Sequence, residues 1–313
     1  MRPGPPSAGA MMRESEVVKL KDKRTLSYAV YGSPVPATSV FYFHSFASSR
    51  KEGKIWHTAA SRLGIRLVVA DRPGLGNSSP QANRTFLDWP KDVIALADHL
   101  KIQTFYVLGW SGGGPYVLAC VKSLPKERLA GAAVVSGLYP TSLGTAGMMT
   151  GLRFMIWAGP WASGIVSTVA DVFVGKAARD PDPKVYEETL TKAIDGRLEI
   201  DKSAMKDEKN WPGFCEGTRE GLRQGGQGTG VENKLNGSAW GFELTDLKVG
   251  EDGVPLTLWH GSEDVNCPAA MARKAKELMP GAKLNIMEGE GHVSFAFNYQ
   301  ERILADLIGS VEY

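Results

Sequence analysis

The stretch FYVLGWSGGGPYV, residues 105–117, holds the strongest chemical signal in the chain. Within it Gly109-Trp110-Ser111-Gly112-Gly113 satisfies G-x-S-x-G between an apolar β-branched run and a helical stretch. A serine on so sharp a turn sits in strained backbone, and side chains two residues before and after it would collide, so glycine belongs at 109 and 113. The five-residue pattern also arises by chance in Gly-rich turns, so its partners decide its meaning.

A serine hydroxyl is a poor nucleophile near neutral pH and needs an imidazole to take its proton as it attacks. On a strand–turn–helix of this kind the partners follow in the order nucleophile, acid, histidine. Of the five histidines, His44, His57 and His99 precede Ser111, and His260 ends a strand before any acid loop. That leaves His292, in GEGHVSF after the last apolar run. The imidazole in turn needs a carboxylate to fix its tautomer and stabilise the imidazolium. Asp264, in LTLWHGSEDVNCP, is the first candidate, and Glu263 next door is its alternative. The oxyanion formed by attack needs backbone N–H donors already aimed at it. Gly112, directly after the serine, supplies one, and Phe46 in the loop HSFASSR, residues 44–50, supplies the other.

These groups need a scaffold. Short β-branched runs at Val17–Leu20, Ser27–Tyr31, Val40–Phe43, Leu67–Ala70, Phe105–Leu108, Ala132–Val135, Leu256–Trp259 and Leu284–Met287 predict eight strands. Helical stretches at 56–63, 89–100, 113–124, 269–278 and 300–308 alternate with them, the pattern of an α/β protein with a mostly parallel sheet covered on both faces. LVVA and FYVLG read as central buried strands, and the more polar 16–31 as an edge. From 141 to 245 the rhythm breaks into Met- and Trp-rich helical segments with Gly-rich turns, which reads as an inserted cap. The expected division is a loose tail at 1–12, a core at 13–140 and 246–313, and a helical cap at 141–245. Trp110, Met148, Met149, Phe154, Trp157 and Trp240 are the candidate substrate contacts.

The motifs HSFASSR at 44–50, DRPGLGNS at 71–78, GWSGG at 109–113, GSEDVNCP at 261–268 and GEGH at 289–292 follow one another in the order of a known family. With them the chain resembles the α/β-hydrolase fold serine hydrolases, of the cap-bearing esterase and lipase-like kind. The resemblance implies that the Asp71-Arg72 turn is structural and that His44 fixes its loop. It also exposes a departure: where the family has His-Gly followed by Pro and Gly, this chain has Ser45, Ala47 and Ser48, which leaves the donor geometry open, with a hydroxyl of Ser45 or Ser48 added to the oxyanion hole and a changed reaction among the alternatives. Epoxide hydrolases and haloalkane dehalogenases of the fold need an aspartate at 111, and its proline peptidases an HGGPG-like loop.

Composition excludes other classes. Against 36 Lys+Arg stand 34 Asp+Glu, a net +2 with no charged run, so attraction to nucleic acid or anionic lipid is not expected. Three scattered cysteines, Cys120, Cys215 and Cys267, form neither a disulfide framework nor a thiolate metal site. No signal-peptide core is readable, so a cytoplasmic chain is expected. The uncharged stretch 154–170 is shorter than the ~20 residues of a membrane span and contains Pro160. Neither cofactor nor metal is expected. The expected function is hydrolysis of an ester or similar acyl bond in a small apolar or aromatic molecule through an acyl-enzyme. Two rivals share the site: a carbon–carbon hydrolase or lyase acting on a β-keto or lactone compound, and a non-catalytic receptor. The sequence leaves the oligomeric state open.

Overall fold

The computed structural model describes residues 12–251 and 253–310, and most of the expected tail at 1–12 lies outside them. Its eight strands are β1 (Arg13–Lys19), β2 (Thr25–Gly32), β3 (Thr38–Phe43), β4 (Ile65–Ala70), β5 (Phe105–Trp110), β6 (Leu129–Val135), β7 (Leu256–Gly261) and β8 (Lys283–Met287). They form one sheet in the order β1-β2-β4-β3-β5-β6-β7-β8. β2 runs antiparallel to β1 and β4, and the other pairs are parallel. Seven of the eight apolar runs lie within a strand; the eighth, Val17–Leu20, runs one residue past the end of β1, which begins before it with residues that are exposed or half-buried.

Period-two alternation sorts the strand residues between two cores. Phe41, Phe43 and Val107 face the helices Trp89–His99, Gly114–Ser123 and Ala269–Leu278. Val40, Tyr42 and Leu108 face the helices His57–Arg62 and Gln300–Leu307. Covered on both sides, β4 keeps Leu67, Val68 and Val69 fully buried, as an uninterrupted apolar run requires.

Between β6 and β7 the chain forms helices Thr150–Ala170, Pro183–Ile194, Glu199–Lys206, Trp211–Gly221 and Gln227–Gly237, along with shorter turns. The first of these bends at Ala162, just beyond Pro160, whose ring and missing N–H interrupt a regular helix. It packs closely on Gln227–Gly237: a Cβ on Gly159 would lie 2.5 Å from the Asn233 carbonyl oxygen. Among the described residues no helix is long and apolar enough to cross a membrane.

Candidate active site

Ser111 follows the last residue of β5 and opens a short 3-10 turn into the helix Gly114–Ser123. Its φ of 55° is left-handed, a conformation a non-glycine residue holds only under constraint. The flanking glycines supply that constraint. A Cβ on Gly109 would lie 2.5 Å from the Gly113 carbonyl oxygen, and one on Gly113 would lie 2.2 Å from that of Phe43. The turn thus closes directly on the end of β3.

Three loops leaving the same sheet edge bring Ser111, His292 and Asp264 together. His292 Nε2 lies 2.9 Å from Ser111 Oγ, and His292 Nδ1 lies 2.8 Å from Asp264 Oδ2. Asp264 Oδ1 accepts the N–H groups of Asn266 and Cys267, both at 2.8 Å. Burial acts to raise the Asp264 carboxyl, but the facing His292 and the hydrogen bonds from His260 and His292 outweigh it and hold the carboxyl below its usual range. Glu263 is exposed, beside the Ser262 hydroxyl, and turns away from the imidazole. His260, passed over in the sequence because of its position on β7, is fully buried with Nε2 3.2 Å from Asp264 Oδ2. The nearby Cys267 thiol is pushed up by burial and by Asp264, which keeps it protonated.

The loop after β3 approaches Ser111 from the other side. A Cβ on Gly112 would lie 3.0 Å from the Phe46 nitrogen, so the two backbones touch beside the serine. Among the described residues the Phe46 N–H meets no acceptor. Ala47 follows with φ 56°, a left-handed position where a glycine would carry no strain. The serines of this loop point elsewhere. Ser45 gives its hydroxyl and its N–H to Glu52, which also accepts the Tyr42 hydroxyl at 2.6 Å. Ser48 lies against Gly217 of the insert.

His44 is fully buried, with Nδ1 2.9 Å from the Ser45 carbonyl oxygen; burial and the Arg72 charge hold it far below its ordinary pKa, so it stays neutral. Arg72 donates to the carbonyls of His44 and Ser45 and pairs with Glu232 of the insert. Asp71 accepts from Arg50 and Asn77. Both residues shape the floor beneath the loop.

A cavity of ≈ 330 Å³ opens beside Ser111 and His292. Trp110 and Met149 line it, together with Phe46, Leu152, Met155 and Phe214. The other expected contacts are corrected by the structure. Met148 and Trp240 belong to the core, Trp240 with its ring 5.2 Å from Phe86. Phe154 and Trp157 are 65% and 62% exposed, on the outer side of their helix, where they edge a separate groove. A helix of 3.6 residues per turn sends Leu152, Met155 and Ile156 inward and Phe154, Trp157 and Trp161 outward.

Two polar residues of the insert carried no sequence signal: Arg197 lines the cavity, and Asp201 accepts the backbone N–H groups of His292, Val293 and Ser294. Among the described residues no group of three or more His, Cys, Asp or Glu is placed to hold a metal ion.

Known proteins are similar to this chain in sequence and fold. A proline iminopeptidase of Lactobacillus helveticus is 22% identical over 262 residues, 82% of this chain and 83% of that protein. An uncharacterised hydrolase of Bacillus subtilis, YcgS, is 28% identical over 117 residues, 37% of this chain and only 39% of that protein. The crystal structure of the enol-lactonase from Burkholderia xenovorans shares the fold with a TM-score of 0.63 at 19% identity, covering 94% of this chain and 100% of its own. The profile of the alpha/beta hydrolase family matches residues 40–306, from within β3 to the last helix with the insert included, and the chain belongs to that family.

Proposed function

We propose that this chain is a serine hydrolase that cleaves an ester or similar acyl bond of a small, largely apolar molecule through an acyl-enzyme. The observation that carries the reading is the continuous chain from Ser111 Oγ to His292 Nε2 at 2.9 Å and from His292 Nδ1 to Asp264 at 2.8 Å. His292 takes the hydroxyl proton as Ser111 Oγ attacks the substrate carbonyl, and the resulting oxyanion faces the N–H groups of Gly112 and Phe46. Collapse of the intermediate breaks the acyl bond as His292 passes the proton to the leaving oxygen. Water, deprotonated by His292, then attacks the acyl group on Ser111 and frees the acid. Asp264 stays ionised throughout and fixes the imidazole. Residues 141–245 act as the cap, with Met149, Leu152, Met155 and Phe214 forming the apolar wall.

An aminopeptidase reading, prompted by the iminopeptidase relatives, is disfavoured by chemistry. A free amino terminus calls for a carboxylate in the pocket, and among the described residues no Asp or Glu lines it.

A fluorophosphonate probe together with 4-nitrophenyl butyrate tests the proposal. Labelling of the native chain but not of Ser111→Ala, with turnover lost in that variant, is the expected result. Labelling without turnover would move the reading to carbon–carbon cleavage or lyase chemistry, and absence of labelling to a binding protein.

A further inference from the structure

Arg197 lies between the helices Pro183–Ile194 and Glu199–Lys206 and lines the cavity shared by Ser111 and His292. Its Nη1 is buried without a hydrogen-bond partner in the protein. The acids whose charge it feels are Asp201 and Asp264, and both are committed elsewhere. Asp201 accepts three backbone N–H groups of the loop that carries His292. Asp264 holds His292 and accepts two more N–H groups. Burial lowers the Arg197 pKa, yet a guanidinium keeps its proton in proteins. A buried guanidinium N–H with no acceptor is costly, and a ligand that brings a carboxylate to Nη1 removes that cost.

Two further orphan atoms line the same cavity: Asn233 Oδ1 and Asn266 Oδ1 are buried acceptors without donors. The remaining wall is largely apolar, and among the described residues no second Lys or Arg lines it. One guanidinium matches one monoanion, and its planar fork fits a carboxylate in two parallel hydrogen bonds.

We propose that Arg197 anchors a carboxylate of the substrate, so that this hydrolase acts on an ester or lactone whose apolar body carries one acid group away from the bond cleaved. Hydroxyls elsewhere on that body would satisfy Asn233 and Asn266. The inference rests on the serine-hydrolase reading and narrows its substrate class; it adds an acid group to the apolar or aromatic ligand that the sequence led us to expect.

The test compares 4-nitrophenyl monoesters of glutaric, adipic and pimelic acids with neutral straight-chain esters of matching length. It also compares 4-butyryloxybenzoate with its methyl ester, which places the carboxylate on the leaving side. In the native enzyme at least one acid ester is expected to exceed its neutral partner in kcat/KM by tenfold or more, chiefly through KM. Arg197→Met should abolish or reverse that preference, and Arg197→Lys should keep part of it. A native enzyme with no preference for any acid ester, or a preference unchanged in Arg197→Met, overturns the proposal. Fluorophosphonate labelling of Ser111 in each variant shows that the site is still formed, and Arg197→Gln substitutes for a variant that fails to fold. Should the native chain resist the probe, the hydrolase reading fails separately. The anion subsite is then judged by the rise in Tm with monomethyl pimelate, expected in the native chain and lost in Arg197→Met; no rise in the native chain overturns it.

Discussion

Asp201 accepts the backbone N–H of His292 at 3.3 Å, and with it those of Val293 at 2.8 Å and Ser294 at 2.9 Å. A residue of the helix Glu199–Lys206, in the insert between β6 and β7, therefore fixes the loop after β8 that carries the imidazole. Asp201 is only 1% exposed, so water cannot replace it. Asp201→Ala should leave three N–H groups without their acceptor and reduce stability by roughly 2–4 kcal/mol, read by urea unfolding. Because the imidazole loses its seat, kcat should fall more than KM rises, and Asp201→Asn, which keeps one oxygen, should lose less of both. Unchanged kcat in Asp201→Ala would remove the positioning role.

Asp264 and Glu263 are neighbours in sequence but stand in opposite surroundings, one buried against His292 and the other exposed. An amide in place of the Asp264 carboxylate would favour the wrong imidazole tautomer, so Asp264→Asn should lower kcat by ~10³–10⁴-fold. Glu263→Gln should stay within about twofold of the native rate. Steady-state kinetics on 4-nitrophenyl butyrate reads both, and equal losses would reassign the acid.

Glu232 connects the insert to the floor of the site, accepting from Arg72 Nη2 at 2.9 Å and from the Tyr116 hydroxyl at 3.2 Å. Burial acts to raise its carboxyl, but the charge and hydrogen bonds of Arg72, with Arg84 beyond, bring it down to about 2 from an ordinary 4.5. A pKa lowered on folding contributes stability that is complete above 4.5 and disappears as pH falls toward about 2. Glu232→Gln should therefore lose roughly 3–5 kcal/mol near neutrality, because it strands Arg72. Its deficit against the native chain should narrow below about pH 4.5. Tm measured for both chains from pH 7 to pH 3 checks the sign, and a gap that widens in acid would contradict it.

The parts of this molecule that a sequence reveals are those fixed by local rules. Leu67–Ala70 reads as a buried strand because parallel strands covered on both faces need no polar alternation. The turn at Ser111 reads clearly because Gly109 and Gly113 answer to backbone atoms a few residues away or across one strand pair. Asp201 and Glu232 gave no such sign, since their partners stand 91 and 160 residues distant and meet only when the insert folds over the sheet. Phe154 and Trp157 misled for a different reason. The helix Thr150–Ala170 has no charge from 154 onward, so no charged residue marks which of its faces is the outer one, and its bulky apolar residues gave no guide to phase.

The helix Trp211–Gly221 presses its backbone on the loop that holds Phe46. A Cβ on Gly221 would stand 2.5 Å from the Ser48 carbonyl oxygen and 2.7 Å from that of Ala47, whereas one on Gly217 would meet the Ser48 hydroxyl at 3.0 Å. Backbone carbonyls at 2.5 Å cannot swing aside, so Gly221→Ala must push helix and loop apart, while Gly217→Ala, with its Cβ also 3.1 Å from the Glu52 Cα, asks only for a small shift. Phe46 is next to Ala47, and its N–H should move off the position the oxyanion takes. Loss of one such donor lowers kcat by ~10²–10³-fold, which sets the upper limit for Gly221→Ala; Gly217→Ala should stay well below it. The loss should appear in kcat with labelling of Ser111 slowed in parallel, because the probe's phosphoryl oxygen uses the same donors. Equal effects of the two substitutions would show that the contact with the loop does not set the donor's place.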